Sequence, residues 1–411
     1  MSSTRGERRL LVRDLVQLAT PAGNAAPLRG RALGDVDVVE DAYVLCAGRL
    51  VEAVGRMRDL PRLEGEIEEV DGRGLCAIPG LVDCHTHTCF AGDRLEEFAL
   101  RAGGASYEEL HAAGGGIMST VRATRAAGEL ALAEAVSKHR GWMLRAGTTT
   151  FEAKSGYGLD LETELASLRA VKAAGGVPTW LGAHAVPPEF DDADAYLDFA
   201  LAEVLPAAAE IAEAADVFLE RGAFDVAQAR RYLAACAGTG LGLRLHGDQF
   251  TEQGAVPLAI ELGARSVDHL EATGREGVAA LGKSDVAGVL LPASALFLGR
   301  PMPQARAFVD EGAIVALATD FNPGSAFCES LPLVCSLAAT QLGLSPAEAL
   351  AACTVNAAHV LARSDQRGRL APGYDADVTL LEAPDWRYLA YHLGGNLVAG
   401  VILQGQPAEL G

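Results

Sequence analysis

Between Gly80 and about Ala362, short β-rich runs alternate with Ala-, Leu- and Glu-rich stretches of helical spacing, and the alternation repeats eight times. The candidate strands are Leu81–His87, Thr148–Ala153, Thr179–His184, Val217–Glu220, Leu243–Gly247, Val267–Leu270, Val286–Leu291 and Ile314–Asp320. Eight βα units in about 250 residues predict an α/β chain closed into a (β/α)8 barrel, a fold that gathers functional side chains at the carboxyl ends of its strands. Polar and ionisable residues stand at those ends: His87, Lys154, His184, His246, His269 and Asp320.

The flanks read differently. Leu10–Leu18, Asp41–Leu45, Leu50–Val54 and Ile67–Val70 are short β-like runs punctuated by glycines, and Asp377–Leu381 and Val398–Gln404 resemble them at the far end. Neither flank is large enough to fold alone, so residues 1–78 and 371–411 are expected to join as one small β-sandwich around a barrel domain at 79–370. Pro79-Gly80 and Pro372-Gly373 are turn-forming seams between the two.

Composition narrows the function classes. No apolar run approaches the roughly 20 residues of a membrane helix, and Met1–Asp14 lacks the apolar core of a secretory signal, so a cytoplasmic location is expected. With 34 basic against 54 acidic side chains the net charge is −20, which disfavours nucleic acid and anionic membranes as partners. An anionic small substrate then requires specific arginines to hold it. The eight cysteines are scattered without a CxxC pair, the usage of buried thiols rather than of bridges or zinc ligands.

The first candidate strand ends in His85-Thr86-His87. Side chains two apart on a strand share a face, so both imidazoles converge on one point. His246 ends the fifth strand and Asp320 the eighth. In a closed barrel those termini ring one mouth, and His85, His87, His246 and Asp320 would offer three neutral nitrogens and a carboxylate to one metal ion. Such a set leaves a coordination position open for water.

This ordering resembles the amidohydrolase superfamily and, within it, the imidazolonepropionases of histidine degradation. The resemblance runs essentially end to end. It is carried by PGLVDCHTH at 79–87, GGGIMSTV at 114–121, KSGYGL at 154–159, GAHA at 182–185, VDHL at 267–270, ATDFNPGS at 318–325 and TVNAA at 354–358. It implies a distorted (β/α)8 barrel with a β-sandwich from both termini, and one zinc or iron(II) ion on His85, His87, His246 and Asp320. Substrate contacts would come from Arg94, Tyr157, His184, Gln249, Asn322, Gly324 and Ser325. A homodimer is also implied, and Trp386, Tyr388 and Tyr391 are candidates for its interface or for core cover.

The implied reaction is hydrolytic opening of the lactam C–N bond of 4-imidazolone-5-propanoate to N-formimidoyl-L-glutamate. Asp320 is expected to take the proton of the attacking water and return it to the departing ring nitrogen. His269 would orient the water or stabilise the oxyanion, with His184 as a second donor. Arg94 is the expected clamp for the substrate carboxylate. Tyr157 is expected to swing its hydroxyl toward a ligand on a backbone relaxed by Gly156 and Gly158, and the glycines at 114–116 are read as a mobile segment near the mouth. Gln249 cannot serve as a base, because an amide holds its protons. Strand alternation turns Asp248 away from it. Lys154, on the second strand, is not placed to bridge two metals as a carboxylated lysine. The alternatives are hydrolysis of another cyclic amide, deamination of a nucleobase-like ring, and a non-catalytic scaffold on the same fold.

Overall fold

A computed structural model describes residues 8–104 and 116–410; of the glycines at 114–116, the first two lie outside the described residues. The strands in chain order are β1 (Arg9–Pro21), β2 (Val36–Ala47), β3 (Leu50–Arg56), β4 (Ile67–Asp71), β5 (Leu75–Pro79), β6 (Leu81–Asp83), β7 (Thr148–Lys154) and β8 (Val177–Ala183). They continue with β9 (Ala214–Leu219), β10 (Gly242–Gly247), β11 (Ser266–His269), β12 (Ala287–Leu290), β13 (Ile314–Leu317), β14 (Val378–Glu382), β15 (Val398–Leu403) and β16 (Gln406–Pro407). Two compact units divide the chain: Met1–Asp83 with Gly141–Thr150 and Ser330–Gly411, and Cys84–Arg140 with Phe151–Glu329.

In the first unit both termini build one sheet in the order β16-β15-β14-β5-β1-β2-β3, with β4 also on β1. The long β1 branches it. Arg9–Arg13 pair in parallel with Ile67–Asp71 of β4, whereas Gln17 and Leu18 pair with Cys76 and Ala77 of β5. Between these halves the register against β2 slips, and Asp14 takes a left-handed φ of 56°. Such a bulge bends a strand, so that Leu10, Val12 and Leu18 of β1 share one core with Val44 of β2, Leu380 of β14 and Ile402 of β15.

The second sheet runs β13-β12-β11-β10-β9-β8-β7-β6, in sequence order throughout, and its ladders from β7 to β13 are parallel. Each of the eight strands overlaps a candidate strand read from the sequence, with β8, β9 and β11 beginning one to three residues earlier and ending one earlier than expected. AGVL of β12 and IVAL of β13 are buried at every position, the near-continuous apolar pattern of parallel strands covered on both faces. Closure comes at Thr86: it forms a parallel bridge with Phe321, and its carbonyl accepts the Lys154 N–H at 3.0 Å. Side-chain caps start some of the crossover helices. Asp160 accepts the Thr163 N–H before Leu161–Ala173, and Asp225 and Gln228 form a reciprocal capping box before Val226–Ala237. No described helix is long and apolar enough to cross a membrane.

The loop after β7 is pinned rather than relaxed. Oε1 of the buried Glu164, on the following helix, accepts the N–H groups of Gly156, Gly158 and Leu159 at 3.0, 2.9 and 2.9 Å. Gly156 is required for its φ of 93°, and Gly158 because a Cβ there would stand 2.7 Å from the Glu164 backbone nitrogen. The glycines therefore permit a fixed turn around a carboxylate, and Tyr157 within it is buried. Glu164→Ala would leave three buried N–H groups without an acceptor, each costing about 1–3 kcal/mol. The expected loss of stability is about 3 kcal/mol or more, while Glu164→Gln, which keeps Oε1, should stay within about 1 kcal/mol. Urea denaturation of both variants checks this, and an alanine variant as stable as the parent would refute it.

Candidate active site

His85, His87, His246, His269 and Asp320 come together at the carboxyl ends of the barrel strands, all almost fully buried. The ring nitrogens and carboxylate oxygens of His85, His87 and His246, and of His85, His269 and Asp320, lie within 4.8 Å of one another in each group. Asp320 Oδ1 stands 3.5 Å from His85 Nε2 and 3.4 Å from His87 Nε2. His246 Nε2 faces His87 Nε2 across 3.2 Å. The four ligands expected from the sequence are thus assembled, and His269 joins them at ring distances of 5.7 Å from His85 and 5.3 Å from His246.

Behind the rings stand carboxylates. His85 Nδ1 donates to Asp268 Oδ2 at 2.5 Å, and His246 Nδ1 donates to Asp216 Oδ1 at 3.0 Å. Each bond places the ring proton on Nδ1, which leaves Nε2 as a bare lone pair turned toward the cluster. His85 Nε2 is buried and has no hydrogen-bond partner, although a carboxylate oxygen and a second lone pair face it. Burial holds His87 below the ordinary histidine pKa and His246 well below it, so both rings favour the neutral, ligating form. Lone pairs crowded in this way repel unless a cation lies among them, so the donor set fits a metal ion.

The charge count agrees. Lys154, Arg244 and His269 stand against Glu152, Asp216, Asp268, Glu271 and Asp320 around the rings, a surplus of two negative charges that one divalent ion would cancel. Lys154 Nζ lies 2.8 Å from both Glu152 Oε1 and Asp216 Oδ2. Against burial and the nearby Arg244, Asp216 and Glu152 keep Lys154 above its usual pKa. Its ammonium is engaged by both carboxylates. None of the eight cysteines belongs to the cluster; all are free thiols, and all but Cys328 are buried.

A cavity of about 640 Å³ opens over the cluster, lined among others by Arg94, Glu97, Tyr157, His184, Glu220, Gln249, Asn322, Gly324 and Ser325. The expected substrate contacts therefore share one space. Tyr157 and His184 lie 5.3 Å apart ring to ring, and His184 stacks on His87 at 5.5 Å and 26°. Nδ1 of His184 donates to the Gly156 carbonyl at 2.9 Å, and burial pushes its pKa down to about 3. A neutral ring whose proton is already donated presents Nε2 as an acceptor. Asp248, by contrast, is buried outside the cavity lining, where it accepts from Gln253 N and Thr273 Oγ1 at 3.1 and 3.0 Å.

Other groups organise this lining. Arg94 forms a two-point ion pair with Glu97, Nε to Oε2 at 2.9 Å and Nη2 to Oε1 at 2.5 Å. Its Nη1 rests against Gly324, where a Cβ would come within 2.1 Å of it. Asn322 Oδ1 accepts the N–H groups of Gly324 and Ser325 at 2.8 and 2.7 Å, while Nδ2 donates to Asp320 O and Ser325 Oγ at 2.6 and 2.8 Å. Its amide is used in folding the loop. Glu220 Oε2 accepts the N–H groups of Phe250 and Thr251 at 2.8 and 3.2 Å and so anchors the residues after Gln249. Sequence reading passed over Glu97, Glu152, Asp216, Glu220, Arg244 and Asp268. For two of them a signal was present: Glu152 and Arg244 lie two residues before Lys154 and His246 and so share their faces.

The amidohydrolase family profile matches residues 76–407. The imidazolonepropionase of Rubrobacter xylanophilus is 62% identical over 96% of this chain and 97% of its own length. That of Deinococcus radiodurans is 46% identical over 96% of this chain and 98% of its own. Among solved structures, a zinc-bound adenosine deaminase from Xanthomonas campestris superposes with a TM-score of 0.70 at 20% identity, covering 97% of this chain and 92% of that one. Escherichia coli guanine deaminase does so at 0.66 and 16%, covering 97% and 99%. At such identities the two deaminases share the fold and nothing more is drawn from them. Profile, near-full-length relatives and assembled histidine cluster agree: the chain belongs to the imidazolonepropionase family of amidohydrolases.

Proposed function

We propose that this protein hydrolyses the lactam C–N bond of 4-imidazolone-5-propanoate to N-formimidoyl-L-glutamate, using one divalent ion, zinc or iron(II), on His85, His87, His246 and Asp320. The identity of 62% over 96% of the chain to the Rubrobacter xylanophilus imidazolonepropionase carries this reading. A divalent ion in such a site lowers the pKa of bound water toward ~7 and polarises a carbonyl oxygen.

The chain's own groups divide the remaining work. Asp320 directs Oδ1 to His85 and His87, while its Oδ2 lies 3.4 Å from Ser325 Oγ on the cavity side. Oδ2, held only by the long Ser325 hydroxyl bond, is the oxygen we assign to take the proton of the attacking water and pass it to the departing ring nitrogen. Burial disfavours the Asp320 anion, and the charge of the neighbouring His269 favours it. His269 is held above its ordinary pKa, since Glu271 and Asp320 overcome the effect of burial; its position beside the cluster suits it to donate to the developing oxyanion. His184, neutral and with Nδ1 committed, is an acceptor for a substrate ring N–H in place of the donor role expected from sequence. Tyr157 supplies a hydroxyl, since burial raises its pKa and keeps the phenol protonated. Arg94 faces the substrate carboxylate with the guanidinium edge that Glu97 leaves uncovered.

The direct assay mixes purified protein with imidazolonepropionate generated in place by an upstream enzyme and follows the loss of its ultraviolet absorbance; no loss with metal-loaded protein would end the reading. Asp320→Asn should lower kcat by about 10²–10⁴-fold, the range for removal of a general acid–base group, while Gln249→Glu keeps measurable turnover. A fully active Asp320→Asn protein would contradict the assigned base. Removal of the guanidinium in Arg94→Gln forfeits a charge-assisted contact of about 1.5–3 kcal/mol. KM should rise roughly 10–100-fold with kcat much less affected, and an unchanged KM would place the carboxylate elsewhere.

A further inference from the structure

The metal-ligand imidazoles rest on a buried layer of five charged side chains: Glu152, Lys154, Asp216, Arg244 and Asp268. Every one is at most 1% exposed. Three paths connect this layer to the ligands. Asp268 Oδ2, which receives the His85 Nδ1 proton, also accepts from Arg244 Nη2 at 2.7 Å. Asp216, which receives the His246 Nδ1 proton through Oδ1, is paired through Oδ2 with Lys154 Nζ at 2.8 Å. Glu152 Oε2 accepts the N–H of Thr86, between His85 and His87, at 3.1 Å, and its Oε1 binds Lys154 Nζ at 2.8 Å and lies 3.3 Å from Arg244 Nη1.

We propose that Arg244 and Lys154 are positioning residues that hold Asp268, Asp216 and Glu152 in place and through them fix the two ring orientations and the His85-Thr86-His87 backbone for metal binding. This rests on the metal site proposed above and goes beyond it, because neither cation touches a ligand ring or the cavity. Arg244 is held for this purpose at a second point, where its Nε donates to Ser266 Oγ at 3.1 Å. A planar guanidinium anchored at Ser266 can present Nη2 to Asp268 at only one angle. The aspartate in turn allows His85 one tautomer and one plane. Groups of this kind, one bond removed from a metal ligand, change metal affinity by about 10–100-fold when lost.

The test uses the full chain stripped of metal, with zinc affinity read by chelator competition and ring placement read from the visible absorption of the cobalt(II)-substituted protein. Neither measurement involves substrate, so failure of the hydrolysis assay and failure of this inference are distinguishable. Arg244→Met and Lys154→Met should bind zinc about 10–100-fold more weakly and shift or broaden the cobalt bands, and Arg244→Lys should recover part of the loss. Ser266→Ala, which removes only the second anchor and leaves every buried charge in place, should weaken zinc binding a few-fold with a smaller change in the cobalt spectrum. It decides the question if the methionine variants do not fold. Wild-type zinc affinity and cobalt spectrum in folded Arg244→Met and Lys154→Met, or in Ser266→Ala where those do not fold, would overturn the proposal. A parent chain that binds neither ion would overturn the metal site itself.

Discussion

Each imidazole proposed as a metal ligand must keep its bare nitrogen forward, and the bonds from His85 to Asp268 and from His246 to Asp216 impose that arrangement. A carboxylate behind a ring fixes tautomer and plane at once. The consequence is electrostatic. Carboxylates placed in the barrel interior are costly unless paired, and Lys154 and Arg244 follow from their presence. Apolar residues of similar volume often stabilise a protein as well as a buried ion network does, or better. Stability therefore does not account for five charges in this layer, whereas the orientation of two histidines does.

The same site carries backbone strain. Asp248, His269, Leu270 and Asp320 all take left-handed φ values, of 53°, 88°, 69° and 57°, at the carboxyl ends of β10, β11 and β13. Such conformations cost non-glycine residues of order 1–3 kcal/mol and persist where the surroundings over-determine them. The turn at His269 has a visible result. Strict alternation would aim Asp268 and His269 at opposite faces, yet Asp268 bonds His85 and the His269 ring stands 5.7 Å from the same imidazole. The left-handed residue brings consecutive side chains to one cluster.

These features explain what could be read from the chain alone. The eight strands were legible because parallel strands covered on both faces are apolar nearly throughout, as in β12 and β13. His85, His87, His246 and Asp320 were legible because a barrel brings strand ends together whatever their separation in sequence. The supporting layer was half legible. Period two links Glu152 to Lys154 and Arg244 to His246, but nothing in the order of residues reveals that Asp268 sits behind His85, a partner 183 positions away. The loop after β7 was misread for a local reason: its glycines look like freedom until Glu164 is seen filling the turn. Asn322 presents the same difficulty, since an amide near a site reads as a substrate contact until its four bonds within the loop are counted.

A net charge of −20 and an anionic substrate are compatible because the relevant distances are short. At physiological ionic strength charges are screened over about 8 Å, so most of the acidic surface contributes little at the cavity floor. What matters there is the local set. Arg94, Arg101 and Arg221 line the cavity with Glu97, Glu220 and Asp320. Glu220 is committed to backbone N–H groups and Asp320 to the histidine cluster. Glu97 covers the Nε–Nη2 edge of Arg94, and its Oε2 also accepts the Gly116 N–H at 2.7 Å. A guanidinium held in this way loses little side-chain freedom on meeting a carboxylate, and its remaining donors are fixed in direction against Gly324. With Arg94 as the proposed carboxylate clamp, discrimination for an acidic ring substrate would follow from the geometry of one arginine rather than from the sign of the whole surface.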